Sequence, residues 1–488
     1  MITPPSVAPN PPQGEIMLGN QTGQNQTKGT QFAVPQPPES PQPAVSASNP
    51  WPKRVIVLLF LAALAAGAVF AGKWFFSRTL GEKEVTVTYW GLWENDAVVR
   101  PVIAAFESRN QKIKIQYVKQ SHKQYRERLQ AAIARGEGPD VFRFHNTWVP
   151  MLQQDLSLVP GEVMTPADFQ STFYPVAAND LVAGQTIYGI PLEIDGLGLY
   201  WNEDLFAMAG VAGPPTTWEE LLTIVPKIAK PEGNVFAVSA IALGTTNNVE
   251  HYSDIVATMF MQNGAPITNP VGREAEETLQ FYRKFSTPND PLYTWNESMD
   301  NSVYAFASGK VAMILAPSWR AFDILAINPD LHFKIAPIPQ LPGNTVNWAS
   351  YWVEGVSSKS KYPKQAWDFV RFLTSREGAT MLYTEAAKER KIFGEPYARV
   401  DLAETVTNDP YVGAYVKQGT NARSFTLVSR TFDNGLNDKL IVYLENAFNG
   451  LKDGSSTTEE LETMTAGFRQ VFATYGLQTN AHPAENSE

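Results

Sequence analysis

Aromatic side chains are the residues of this sequence whose type and position best suit a binding site. Many of them lie in predicted loops: Trp90, Trp93, Trp148, Trp295, Trp319, Trp348, Tyr351 and Trp352. Aromatic planes pack on the C–H faces of sugars, while Asp, Glu and Asn side chains bond the hydroxyl groups. The pattern therefore predicts non-covalent binding of a carbohydrate. For any single tryptophan, packing in a hydrophobic core is the alternative interpretation.

The sequence lacks the motifs that metal binding, nucleotide binding and nucleophilic catalysis would require. The chain has no cysteine, which excludes disulfides, thiolate metal sites and attachment of a lipid to cysteine. Its five histidines form no i,i+4 pair: His122, His145, His251, His332 and His482. Gly309-Lys310 lacks the rest of a phosphate loop, and no GxSxG elbow occurs. We therefore expect no metal and no cofactor, although distant carboxylates could still pair for glycoside hydrolysis.

Short strands alternate with helices from residue 84 to about residue 476. Residues 85–90 and 113–118 alternate like strands, and residues 98–109 carry apolar side chains at helical spacing. This opening is a β-α-β unit. Near the C-terminus, residues 456–475 form an amphipathic pattern whose apolar stripe predicts plain core packing.

The first 83 residues differ in composition from the rest. Residues 1–50 are rich in Pro, Gln, Asn, Ser and Thr and predict a disordered tail. Residues 55–72 are uncharged, and basic and aromatic residues flank them, so residues 53–76 predict a single transmembrane anchor in the lipid bilayer. A cleaved signal peptide ending near Ala71 and a buried core helix are the alternatives. The net negative charge lies in residues 84–488, which argues against nucleic acid as a partner.

Four segments, read in order, resemble one family. They are YRERLQAAIARGEGPDVF (125–142), IYGIPLEIDGLGLYWNEDLFAMAGVAGPPTTWEELL (187–222), AFASGKVAMI (305–314) with Ser318-Trp319 after it, and VSSKSK (356–361) followed by a helix at 366–374. Together they resemble the family 1 extracellular solute-binding proteins, the sugar-type receptors of ABC importers related to maltose-binding protein. The matches span roughly residues 85–380.

The resemblance implies an α/β fold of the two-lobed periplasmic-binding-protein type (type II), with a hinged cleft. We expect lobe 1 to comprise residues 84–194 and about 354–395, and lobe 2 residues 197–350 and about 398–476. Residues 477–488 would form a disordered C-terminal tail. The first hinge crossing would lie near residues 195–197, and ligand would favour the closed form by touching both lobes.

The resemblance also implies ligand-binding positions. They are Trp93, Glu94, His145, Asn146, Thr147, Trp148, Asp195, Trp319, Trp348, Tyr351 and Trp352, with Asn247 and Tyr252 from a loop and a helix that match only loosely. Asp195 could instead be a turn-forming acid. Glu94 could instead lie in the cap of the following helix.

The function implied is an anchored receptor that binds a sugar and delivers it to ABC permease subunits, with no covalent chemistry. Such a receptor would act as a monomer, face outward from the cell membrane and leave the Pro-rich tail in the cytoplasm. Family members are more often secreted or held by a lipid, so a ligand sensor without a permease remains an alternative. A membrane-anchored carbohydrate-active enzyme, using a cleft acid such as Asp195 or Glu94, is the other.

Overall fold

The computed structural model describes residues 83–233 and 235–477, together with residues 58, 60, 62 and 64–67. The chain divides into two compact units, Met1–Gly81 and Glu82–Glu488. In the first unit the described residues are helical. The rest of the predicted anchor, the predicted tail 1–50 and residues 478–488 lie outside the described residues. Within the described part of the chain, no helix combines the length and the apolar character that a membrane crossing requires.

The second unit alternates strands and helices as the sequence predicted. Its strands are β1 Val85–Gly91, β2 Ile113–Lys119, β3 Val141–His145, β4 Leu156–Ser157, β5 Val182–Ala183, β6 Thr186–Ile187, β7 Ile190–Pro191, β8 Gly198–Asn202, β9 Lys230–Glu232, β10 Val235–Ile241, β11 Val311–Ala316, β12 Phe333–Ala336, β13 Asn347–Trp348, β14 Trp352–Ser357 and β15 Ala422–Arg423. Its α-helices are α1 Asp96–Arg109, α2 Tyr125–Arg135, α3 Val149–Leu152, α4 Pro166–Thr172, α5 Pro175–Leu181, α6 Glu203–Met208, α7 Trp218–Ile228, α8 Tyr252–Gln262, α9 Arg273–Lys284, α10 Ser302–Ala307, α11 Arg320–Ile327, α12 Pro363–Leu373, α13 Arg376–Arg390, α14 Gly413–Gln418, α15 Leu436–Asp453 and α16 Thr457–Thr474.

Local sequence explains where these elements begin and end. Helix α1 begins after Asn95, whose side chain accepts a hydrogen bond from the backbone N–H of Val98 (3.2 Å). Helix α2 ends at Gly136, which has a φ of 72° and supplies the left-handed C-cap. Helix α16 begins after Ser456. It buries its predicted apolar stripe, including Leu461, Phe468 and Phe472.

Two sheets organise two lobes. In the first lobe the strand order is β2-β1-β3-β14-β4, and β7 pairs with β14; β1 is parallel to β2 and β3, whereas β14 is antiparallel to β3. In the second lobe the order is β12-β8-β11-β10-β9. Each sheet packs against its own hydrophobic core. The α/β two-lobed architecture predicted from the sequence is confirmed.

The chain passes from one core to the other at residues 194–197, at residues 348–349 and again beyond Ala386. The first two crossings touch, since Gly196 and Ala349 form an isolated β-bridge. A Cβ at position 196 would lie 1.9 Å from the carbonyl oxygen of Trp348, so only glycine fits there. These crossings form the hinge region, beside which the candidate site lies. The residue ranges of the two lobes remain a prediction.

Candidate functional site

A cavity of about 450 Å³ lies between the two lobes. Four groups of residues line it. The first-lobe wall consists of Trp93, His122, His145 and Trp352. The hinge floor consists of Glu193, Asp195, Gly196, Leu197, Trp348, Ser350, Arg390 and Glu395. The second-lobe wall consists of Glu250, His251, Asp254, Pro317, Trp319, Arg320, Phe322 and Asp323, and the roof segment is residues 428–432.

Strand ends position the first-lobe wall. Trp93 and His122 follow the carboxyl ends of β1 and β2, His145 ends β3, and Trp352 begins the antiparallel β14 opposite His145. Carboxyl ends of parallel strands meet at one edge of a sheet, which is where ligands bind in open α/β folds. The rings contact each other: Trp93 packs edge-on against Trp352 (centroids 5.4 Å apart) and stacks on His122 (5.6 Å). The wall is therefore a continuous aromatic surface.

His145 contributes a neutral ring to this surface. Its Nδ1 lies 2.8 Å from the hydroxyl of Thr147, and its Nε2 lies 3.0 Å from the hydroxyl of Ser350. Burial lowers the pKa of His145 to about 3. The imidazole of His145 therefore stays uncharged at neutral pH.

The second-lobe wall is built around Arg320. Its Nη2 donates to Glu250 (2.6 Å), its Nη1 to Asp323 (2.7 Å) and its Nε to Nε2 of His251 (3.0 Å). The guanidinium carbon lies 4.1 Å from the ring centre of Trp319, within cation–π range. The network therefore fixes the tryptophan that the sequence had predicted at this position of the cleft.

His251 extends the network from Arg320 to the roof segment. Because its Nε2 accepts from Arg320, the neutral ring carries its proton on Nδ1, which donates to the hydroxyl of Ser429 (2.8 Å). Burial lowers the pKa of His251, although nearby Asp254 opposes the shift. One oxygen of Asp254 also accepts the backbone N–H of Ser429 (3.1 Å).

The roof segment contacts both lobes. Arg430 forms an ion pair with Glu250 of the second lobe, while the ring of Phe432 packs on His122 of the first lobe (4.6 Å). Positive φ angles occur at Leu427 (92°), Arg430 (63°), Phe432 (54°) and Asn434 (44°). Non-glycine residues adopt such angles at an energetic cost, and clusters of them are typical of functional loops.

Asp195 anchors the hinge floor to the second lobe. Its Oδ1 accepts the backbone N–H groups of Gly196 (2.7 Å) and Ser318 (3.1 Å), and its Oδ2 accepts the hydroxyl of Ser318 (2.8 Å). Burial raises the pKa of Asp195 to about 7, in spite of these hydrogen bonds. The residue is thus both the turn-forming acid of one interpretation and part of the cavity lining.

Six of the sequence-predicted site residues line the cavity: Trp93, His145, Asp195, Trp319, Trp348 and Trp352. The other seven do not: Glu94, Asn146, Thr147, Trp148, Asn247, Tyr252 and Tyr351. Glu94 is buried in an ion pair with Arg143 (2.6 Å), while the cap of α1 is Asn95. Trp148 packs in the first core.

Four of the remaining five serve the structure around the cavity. Asn146 and Tyr351 both donate to Asp180, at 2.9 and 2.5 Å, and Thr147 accepts from Asn437 (2.8 Å). Tyr252 packs in the second core, and Asn247 is exposed. Adjacent side chains of a strand point to opposite faces of the sheet, so being next to a lining residue does not by itself place a side chain in the cavity.

Several lining residues carried no signal in the sequence. They include His122, Glu193, Glu250, His251, Arg320, Arg390, Glu395 and Phe432. Arg320 directly follows the predicted Trp319, so adjacency could have found it. The roof segment lies beyond the matched segments, and its composition does not predict its positive φ angles. Within residues 83–233 and 235–477, no group of three or more His, Asp or Glu side chains has the arrangement of a metal site.

The chain belongs to the bacterial extracellular solute-binding protein family, whose model matches residues 91–380. The resemblance inferred from the sequence segments is confirmed, and membership makes the chain a binding protein rather than an enzyme. The multiple sugar-binding protein of Streptococcus mutans is 23% identical over 62% of this chain and 74% of its own length. The galactooligosaccharide-binding protein of Bacillus subtilis is 22% identical over 74% of this chain and 83% of its own length.

Solved structures share the fold. A cyclo/maltodextrin-binding protein complexed with maltotetraose superimposes with a TM-score of 0.64, covering 81% of this chain and 98% of its own, at 19% identity. At this identity the likeness supports the architecture alone.

Proposed function

We propose that this protein binds a sugar or oligosaccharide in the cavity between its lobes. The observation that carries the proposal is the lining itself, which combines four tryptophans, Trp93, Trp319, Trp348 and Trp352, with polar groups converging from the hinge. A cavity of about 450 Å³ falls in the range typical of small-molecule sites. Aromatic faces with a few fixed polar groups are the combination that sugars require.

Polar atoms without partners strengthen the proposal. The indole Nε1 of Trp348 and the hydroxyl of Thr431 are buried and make no hydrogen bond to the described residues. A buried donor without a partner is costly, and an incoming hydroxyl group would satisfy it.

Closure of the lobes would couple ligand binding to delivery of the ligand. The first-lobe wall, the second-lobe wall and the roof segment reach the same cavity from different parts of the chain, so a ligand touching all three favours the closed arrangement. We propose that the closed receptor delivers its cargo to ABC permease subunits, as a monomer. The similarity to the multiple sugar-binding protein of Streptococcus mutans and the galactooligosaccharide-binding protein of Bacillus subtilis supports a sugar as cargo.

The proposed location is the outer face of the cell membrane. Residues 53–76 would anchor the chain by a single span, which rests on their apolar composition and their basic and aromatic flanks. Extraction of membranes with alkaline carbonate should leave the full chain in the pellet. A variant lacking residues 55–72 should move to the soluble fraction, and its appearance in the pellet would contradict the anchor.

Binding is tested on the full chain in detergent, by intrinsic tryptophan fluorescence and thermal midpoint. The panel is glucose, maltotriose, cellotriose, mannotriose and galactotriose, each recovered afterwards by chromatography. We expect a saturable shift with at least one sugar, recovered intact. Trp319→Ala should abolish the shift, whereas Trp201→Ala, on β8 away from the cavity lining, should retain it. No response to any sugar would refute the carbohydrate proposal, and a cleaved sugar would refute pure binding.

A further inference from the structure

Glu193 is a buried carboxyl group that faces the cavity without a partner. The residue is 6% exposed and lines the hinge floor. Its backbone is held in place, because residue 193 forms a β-bridge to Tyr397 and Ile194 donates to the carbonyl of Pro396 (2.9 Å). Among the described residues no side chain forms a hydrogen bond or an ion pair with its carboxyl group. Buried polar groups are normally satisfied, so this one points to something that binds there.

Acidic groups outnumber basic ones around Glu193. The charged groups that act on it are the carboxyls of Glu94, Asp195 and Glu395 and the guanidiniums of Arg143 and Arg390. Arg143 pairs with Glu94 and Glu354, and Arg390 pairs with Glu395 while its Nη1 makes no hydrogen bond to the described residues. The oxygens of Asp195 are occupied by Ser318 and Gly196. Among the described acids of the hinge floor, Glu193 is therefore the one whose carboxyl group makes neither a hydrogen bond nor an ion pair.

A buried carboxyl in this position is satisfied either by a proton or by a cation from outside. Burial, reinforced by the charge of Glu395, raises the pKa of Glu193 well above its usual range, so the empty cavity favours the protonated form of this carboxyl group. The rings of Trp348 and Trp352 line the same cavity as Glu193, and aromatic faces attract ammonium groups. The acid and the rings together suit a cation better than they suit another hydroxyl group.

We propose that the ligand carries a protonated amino group and that Glu193 binds it at the hinge end of the cavity. This inference rests on the proposed function and narrows the substrate class from sugars in general to amino sugars. On binding, the ammonium group takes the place of the carboxyl proton, which passes to the solvent, so no other reactant is needed.

Matched pairs of sugars test the inference on the full chain in detergent. Glucosamine is compared with glucose, and the β-1,4-linked glucosamine trimer with cellotriose, because the members of each pair differ only in amino groups in place of hydroxyls. We expect the amino member of at least one pair to bind roughly tenfold more tightly. Calorimetry in phosphate and in Tris should show proton release with the amino sugar and none with the neutral one.

Two variants separate the inference from the proposed function. Glu193→Gln keeps the shape and cannot ionise, so it should reduce the amino-to-neutral preference to less than about threefold. Glu219→Gln removes an exposed acid from α7 and should retain the preference. If neutral sugars bind as tightly as amino sugars, the inference is overturned and the carbohydrate proposal stands. If no sugar of the pairs or of the panel above binds, both are overturned.

Discussion

Two arginines in this protein have similar partners and different surroundings. Arg143 in the first lobe donates to Glu94 (2.6 Å), Glu354 (2.8 Å) and the hydroxyl of Tyr89 (3.1 Å), and its side chain is 2% exposed. Arg320 in the second lobe donates to Glu250, Asp323 and His251, and its side chain is 13% exposed. The cavity reaches Arg320 and does not reach Arg143.

The comparison teaches that the surroundings of a charged network, and not its composition, decide what it does. Burial is the largest single influence and opposes ionisation of Glu94, but the charges of Arg143 and Arg390 and the hydrogen bonds to the carboxylate together outweigh it and lower the pKa of Glu94. Burial raises the pKa of Glu354, the second acid of the same network. Such a sealed network holds strands β1, β3 and β14 together. The network around Arg320 instead fixes a ring against the cavity, so the first should control folding and the second binding.

Loss of the sealed network is expected to have the largest effect. Arg143→Ala leaves Glu94 and Glu354 buried without their cation, which should cost about 3–5 kcal/mol of unfolding free energy. Chemical denaturation followed by circular dichroism measures it. As a control, Arg143→Met combined with Glu94→Gln and Glu354→Gln should recover most of the loss, because no buried charge is left unpaired. A loss below about 1 kcal/mol for Arg143→Ala would show that the network is not structural.

The next largest effect distinguishes Asp195, a buried acid with no ion pair among the described residues, from Glu94, a buried acid that has one. Asp195 has a pKa of about 7 in the folded protein, above its value of about 4 in the unfolded chain. Between these values the folded state holds a proton that the unfolded state has lost, so stability falls as pH rises from about 4 to 7. Relative to Asp195→Asn, which cannot titrate, the wild type should lose up to roughly 4 kcal/mol across this window.

Denaturation midpoints at several pH values measure this difference between the two proteins. Glu94→Gln provides the matched comparison, since the lowered pKa of Glu94 gives the opposite sign. For that pair the wild type should gain stability relative to the variant as pH rises from acid, and the gain should be complete above the unfolded pKa of about 4. A flat difference for Asp195 from pH 4 to 7 would contradict the shift.

The features that the sequence predicted correctly have local causes, and those that it missed depend on contacts between residues far apart in the chain. Strands β1 and β2 and helices α1 and α16 depend on nearby residues, and each was predicted close to its observed place. The tryptophans at positions 319, 348 and 352 line the cavity as the resemblance implied. Glu94 does not line the cavity, because it is paired with Arg143. That pairing could not be predicted, since the two residues are 49 positions apart and pairing across strands leaves no local sequence pattern. The roof segment was absent from the prediction for the same reason: its contacts, to Glu250 and His122, are distant in sequence.

Arg320→Ala should affect binding more than folding. The variant removes the cation beside Trp319 and the donor to His251, while Glu250 keeps its ion pair with Arg430. We expect a loss of roughly 2 kcal/mol in binding, about 30-fold in Kd, for whichever sugar the panel identifies. Titration of tryptophan fluorescence measures it. Arg320→Lys keeps the charge but not the three directed donors, so its Kd should fall between those of the wild type and the alanine variant.

The smallest expected effect is at the roof segment, where Ser429→Ala removes one hydroxyl group. That hydroxyl accepts from Nδ1 of His251, and the backbone N–H of the same residue still donates to Asp254 after the substitution. One neutral hydrogen bond is worth about 1 kcal/mol, so Kd should rise roughly fivefold while the thermal midpoint hardly changes. Ser286→Ala, which removes a hydroxyl bonded to Gly244 outside the cavity lining, should leave Kd as it is. If Ser429→Ala instead weakens binding as strongly as Arg320→Ala, the charged network would act on the ligand chiefly through the hydrogen bond between His251 and the roof segment.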